Sequence, residues 1–237
     1  MKRLILALFV LPIAVQGAEN PLLSAPAKDI SKWENKLKEF ERPELPRKEG
    51  YPRPFHLPNG YKYSLDDVCL ACHTFAAHKK DKKYAPFYNA HGTFLSCTTC
   101  HFVKSGLSYS WVEIDGDRAV GKEGGDFYGL RYIRNGNRVI LSGGDSRARI
   151  TPVYDGAPLV IPLKGNESLL KDVKAVSKMH SALTEKVLKC EDCHREKGVL
   201  DFRALGFSDE RVKDLEENEV VKGLKEYKTI HFPKFIW

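Results

Sequence analysis

The sequence predicts a mostly α and irregular fold gathered around three Cys-x-x-Cys-His segments, with a β-rich insertion over about residues 105–165. Three observations predict it. All six cysteines of the chain fall in those segments. Apolar residues recur at helical spacing on either side of them. Between the second and third segments the pattern changes to short runs broken by Asp-Gly and Asn-Gly pairs, which mark turns between strands.

The 237 residues suit one domain or two small ones. At 42% hydrophobic they can bury a core, while 29% charged residues exclude a protein of many membrane spans. Lys2 and Arg3 precede an apolar run at 4–15 that is too short to span a bilayer, with the small residues Gly17 and Ala18 after it. This reads as a secretory signal over 1–17, with an uncleaved anchor as the alternative. Residues 18–58 form an N-terminal helix and a Pro-rich arm. The helix, at 28–41, carries Ile30, Trp33, Leu37 and Phe40 as a packing stripe, and the arm holds Pro43, Pro46, Pro52, Pro54 and Pro58.

Residues 59–104 form a module around the first two segments, with Tyr84, Phe87, Tyr88 and Phe94 as its aromatic surface. Within the insertion, strands are expected at 109–114, 128–133, 138–141 and 159–163, turned by Asp115-Gly116, Asn135-Gly136 and Asp155-Gly156. Residues 166–237 hold the third segment and C-terminal helices. One helix is expected at 181–189 with His180 at its start, and one or two at 208–228 capped by Ser208. Lys and Arg alternate with Asp and Glu, so the formal charge of +7 reads as a solvated surface and not as a nucleic-acid interface.

The three segments carry the chemistry: Cys69-Leu70-Ala71-Cys72-His73, Cys97-Thr98-Thr99-Cys100-His101 and Cys190-Glu191-Asp192-Cys193-His194. Thiols three apart share one face of a helical turn, so both can add to the vinyl groups of one porphyrin. The following imidazole then sits under the iron. This is the attachment pattern of haem c, here three covalent groups. A disulfide scaffold has no need of His after each second Cys. Zinc sites that consume Cys pairs in twos would leave one pair over, and a thioredoxin-like motif needs only one pair.

Each iron takes a second axial ligand. Met179 is the sole Met after the first residue, so imidazole is the main supply. His91 and His180 stand shortly upstream of the second and third motifs. His78 follows His73 by five residues and either ligates another haem or ends a helix. His56 and His231 read as surface imidazoles that could latch a terminus. Which distal His serves which iron is left open.

On these motifs the chain resembles the multihaem cytochromes c. The resemblance implies a haem-organised core, export to the periplasm or a similar compartment, and distal ligation of a neighbouring haem by His91 and His180. Residues 180–207, ending in Leu200-Asp201-Phe202-Arg203-Ala204-Leu205-Gly206-Phe207, resemble the stretch after the last haem motif of octahaem tetrathionate-reductase-like cytochromes. The expected function is a trihaem carrier relaying single electrons between redox partner proteins through bis-His haems, with no residue assigned a catalytic role. The alternatives are a haem-based reductase or oxidase of a small sulfur or nitrogen compound, or a subunit of a larger, membrane-bound cytochrome complex.

Overall fold

A computed structural model describes residues 20–39, 66–73, 78, 80, 81, 83–122, 132–135, 138–141 and 148–227. The signal at 1–17, the Pro-rich arm, Phe40, His56 and His231 lie outside the described residues, as do parts of the expected 128–133 strand and of the Asn135-Gly136 turn. Among the described residues no helix is long and apolar enough to cross a membrane.

The fold is a mixture of short helices and a four-stranded antiparallel sheet. The helices are α1 (Pro21–Ser24), α2 (Ile30–Glu39), α3 (Val68–Cys72), α4 (Ala85–His91), α5 (Cys97–His101), α6 (Val173–Ala182), α7 (Cys190–Cys193), α8 (Asp209–Glu216) and α9 (Glu219–Glu226). The strands are β1 (Ser108–Asp115), β2 (Arg118–Lys122), β3 (Tyr132–Asn135), β4 (Arg138–Leu141), β5 (Arg149–Tyr154) and β6 (Ala157–Pro158). The sheet runs in the order β2-β1-β5-β6, and β3 and β4 pair apart from it as a hairpin. Asp155 and Gly156 both take positive φ (49° and 78°), the conformation that a two-residue turn between twisted strands requires.

Two apolar clusters fill the interior. One joins Leu95, Trp111 and Ile150 to Leu200, Phe202, Leu205 and Val212, with Cys100 and Cys193 against it. The other joins Leu22, Val68, Phe102, Leu159, Ile161, Val176 and Met179, with Trp33 and Leu37 packed on it. The sheet thus contributes to the same cores as the Cys-x-x-Cys-His turns and does not stand off from them.

Three local expectations change. The apolar run at 159–163 is not a sheet strand, because Pro158 and Pro162 break its donor ladder. It crosses the core instead: Leu159, Val160 and Ile161 are all buried, and Ile161 O accepts Val68 N–H of the first motif. Strands β2 and β5 form where none was expected; β2 is charged and β5 carries Pro152, so neither alternates clearly. Finally, the helix near His180 occupies Val173–Ala182, ahead of the expected 181–189, because Asp172 caps its N-terminus through Lys174 N and Ala175 N. His180 therefore lies in the last turn of α6. The stretch after it runs extended along the second motif, with Thr184 N–H on His101 O and Leu188 N–H on Cys100 O.

Candidate functional site: three imidazole couples

Each Cys-x-x-Cys-His segment folds as one helical turn. Asp67, buried ahead of α3, accepts Cys69 N–H and fixes the start of the first turn. Its carboxyl is raised above the usual range by burial, against the lowering effect of that cap. The second turn is mounted on the sheet. Leu95 bridges Ile150, Thr99 Oγ1 donates to Ile150 O at 2.7 Å and Thr98 Oγ1 to Leu159 O at 2.7 Å. Both threonines are fully buried, so these bonds hold α5 against the free half of the β5 edge. The third turn is closed by Val199 N–H on Asp192 O. Gly198 makes this possible, because a Cβ there would lie 2.4 Å from Cys193 O.

The turns converge. Cys69 and Cys97 share a thiol contact that pushes Cys69 well up and lowers Cys97, so Cys97 is the more acidic of the two. Burial, and then the neighbouring Cys97 and Cys190, raise Cys100 to about 11; burial raises Cys193 to about 12, with Cys100 next in effect. The second motif therefore lies between the first and the third.

Six histidines come together in twos. His73 of the first motif faces His180 with ring centroids 6.2 Å apart. His101 of the second faces His78 at 6.2 Å, and His194 of the third faces His91 at 6.0 Å. An imidazole–metal bond of about 2.0 Å and a ring centre about 1.1 Å behind its nitrogen put two axial imidazoles about 6.2 Å apart, centroid to centroid. Aromatic rings also pack at about 4.5–7 Å; what sets these couples apart is their composition. Each motif His meets one non-motif His, and those three are the residues singled out from spacing.

The tautomers of the non-motif rings are set by their partners. His91 Nδ1 lies 2.7 Å from Phe87 O, His180 Nδ1 2.7 Å from Val176 O, and His78 Nδ1 3.1 Å from Asn89 Oδ1. On the proximal side His194 Nδ1 lies 2.9 Å from Leu215 O. A carbonyl oxygen only accepts, so Nδ1 must carry the hydrogen in each of these bonds. Burial lowers the pKa of His73, His101, His180 and His194, and takes His91 down to about 4. A neutral ring protonated at Nδ1 has its Nε2 lone pair free, which is the form a metal takes.

Sequence reasoning missed the supports. Trp33, assigned to a packing stripe, does pack on the core and also lies against His180 with centroids 4.0 Å apart, beneath the Lys36 ammonium. Asn89 both receives His78 N–H and donates to His78 O, fixing a residue that has no helix of its own. The carbonyls of Phe87 and Val176 carry no side-chain signal that could have marked them. The i,i+4 spacing to a helix-terminal His was the one available cue.

Among the described residues no group of three or more His, Cys, Asp or Glu side chains can hold a metal ion. A structural zinc site takes four protein ligands, so paired imidazoles suit a metal whose remaining ligands come from elsewhere, as from a planar macrocycle. Comparisons with protein-family models, curated proteins and solved structures give no match to this chain, so the class of protein must be argued from the site itself.

Proposed function

We propose that this chain is an exported trihaem c-type cytochrome that relays single electrons between redox partner proteins. The observation that carries the reading is the pairing of every motif His with one distal His at 6.0–6.2 Å. The assignment is His73 with His180, His101 with His78, and His194 with His91. Cys69 and Cys72, Cys97 and Cys100, and Cys190 and Cys193 would hold the three groups by thioethers.

Haem bound in this way supplies reversible one-electron chemistry at an iron. The chain's own residues do the rest. Carbonyls of Phe87, Val176 and Leu215 orient the imidazoles, and Asn89 orients His78. The adjacency of Cys69 to Cys97 and of Cys100 to Cys193 keeps the three stations near one another. Small-molecule turnover at an iron requires an open axial position. Three imidazoles facing three imidazoles favour the carrier over the reductase.

Intact mass of the chain from a host competent in haem attachment should exceed the polypeptide mass by three haems. The oxidised and reduced spectra should be low-spin, with no carbon monoxide bound. No added haem mass would refute the reading outright. Three haems with one or more ligand-binding irons would move it to the enzyme.

A further inference from the structure

We propose that Arg211 anchors a propionate of the third haem, with its Nε–H donating to the carboxylate of the group attached at Cys190 and Cys193. The inference rests on the haem reading above and adds a residue that no motif marks.

Among the described residues, Arg211 Nε is the buried side-chain nitrogen or oxygen with no hydrogen-bond partner. A cationic N–H taken out of water and left without an acceptor carries its full desolvation penalty, so native structures rarely leave one. The rest of the side chain accounts for itself. Its Nη1 lies 3.9 Å from Asp214 Oδ2, and the side chain as a whole is 43% exposed. The side chain is therefore partly in solvent while its Nε is shielded from water.

What lies inward follows from the helix. Arg211 and Leu215 are four apart on α8 and so share a face. Leu215 O holds His194 Nδ1 at 2.9 Å. Leu215 also packs, with Cys193, on the cluster that contains Val212. Arg211 thus stands one helical turn before the residue whose carbonyl orients the third motif's imidazole, and its positive charge is felt at His194. A porphyrin attached there brings two carboxylates on the edge away from its thioethers. An arginine Nε–H to a carboxylate is a charge-assisted bond with fixed direction, which a lysine reproduces in charge but not in geometry. The contact would supply the acceptor that this shielded nitrogen lacks.

The test uses holoprotein with three haems verified by mass, as wild type, Arg211→Gln and Arg211→Lys. A wild-type chain without haem at Cys190 and Cys193 defeats the haem reading and this proposal with it, whereas the outcomes below, read on the three-haem protein, bear on Arg211 alone. Removing a cation beside a haem disfavours the added electron, so redox potentiometry should show one of the three midpoints moved to more negative potential in Arg211→Gln. That midpoint should belong to the haem that becomes high-spin in His91→Ala. Arg211→Lys should show a smaller shift of the same midpoint. Resonance Raman should find one propionate-bending band displaced in both variants. Should Arg211→Gln fail to fold, the band in Arg211→Lys decides. Unmoved midpoints or an equal shift of all three overturns the proposal, as do unmoved propionate bands.

Discussion

Consider the loss of the His91 imidazole. Its Nδ1–H is committed to Phe87 O, and its ring centre lies 6.0 Å from that of His194. On the proposed reading His91→Ala would remove one axial ligand and leave a space the size of one imidazole at the end of α4, with no other described His in ring contact with His194 to replace it. The magnitude follows from counting couples. One iron in three should become five-coordinate and high-spin, and the reduced protein should bind one carbon monoxide per chain, where wild type binds none. Free imidazole should restore the low-spin spectrum, because the pocket keeps its shape and its acceptor. The assay is carbon monoxide titration of the reduced protein at matched haem content, read by the Soret band, followed by imidazole rescue. A stoichiometry of zero, or of two or three, would refute the pairing of His91 with His194 and the independence of the three couples.

The remaining predictions concern stability and pH. Trp111→Phe removes the Nε1–H that meets Leu205 O at 2.9 Å and leaves a buried carbonyl unsatisfied, so unfolding free energy should fall by about 1–3 kcal/mol. Denaturant titration checks this, and an unchanged midpoint would mean that β1 and the 200–207 segment are not coupled. Gly198→Ala places a methyl 2.4 Å from Cys193 O, against backbone that cannot yield cheaply, and should lower the haem content of the third motif while leaving the other two loaded. Peptide mass mapping reads the outcome, and full occupancy would count against the close approach. His91 has a folded pKa of about 4, below its ordinary value near 6.5. The neutral ring is thus the folded form, and its contribution is complete above about pH 6.5 and is lost as pH falls toward 4. Ligation to iron would lower that ring's proton affinity further, so the low-spin spectrum should hold from pH 8 to 5; a loss of one third of it at pH 6, from the haem that becomes high-spin in His91→Ala, would contradict ligation by His91.

Much of the candidate site was legible because its chemistry is encoded locally. Six cysteines in three spaced pairs, each followed by His, need no tertiary information to be read. Scarcity of Met left five histidines outside the motifs as candidate donors, and His78, His91 and His180 stand out among them by their position beside the motifs, the role of His91 and His180 being what the multihaem resemblance implies. Their assignment to particular motifs was not legible, because it depends on which turns the core brings together. The sheet was half legible. β1 announces itself by partial alternation and the following Asp115-Gly116 turn, and β4 by a short apolar run after Asn135-Gly136, whereas β5 reads Arg-Ile-Thr-Pro-Val-Tyr and is buried over its first four residues, so no alternation survives. The run at 159–163 has a strand's composition but serves as a buried crossing, a choice made by Pro158, Pro162 and the first motif's need for Ile161 O. Helix α6 starts ahead of the expected 181–189 because the Asp172 side chain caps Lys174 N and Ala175 N, a signal that lies before His180.

The His73–His180 couple has a consequence for biosynthesis. Its two members are separated by roughly a hundred residues, a long-range contact of the kind that forms late. His101 and His78, in contrast, belong to one short stretch of chain. The His78–His101 couple can therefore close soon after its own segment folds, while the His73–His180 couple waits for α6. On the proposed haem reading, a chain truncated before residue 180 would hold its first haem with one face open to peroxide and small ligands.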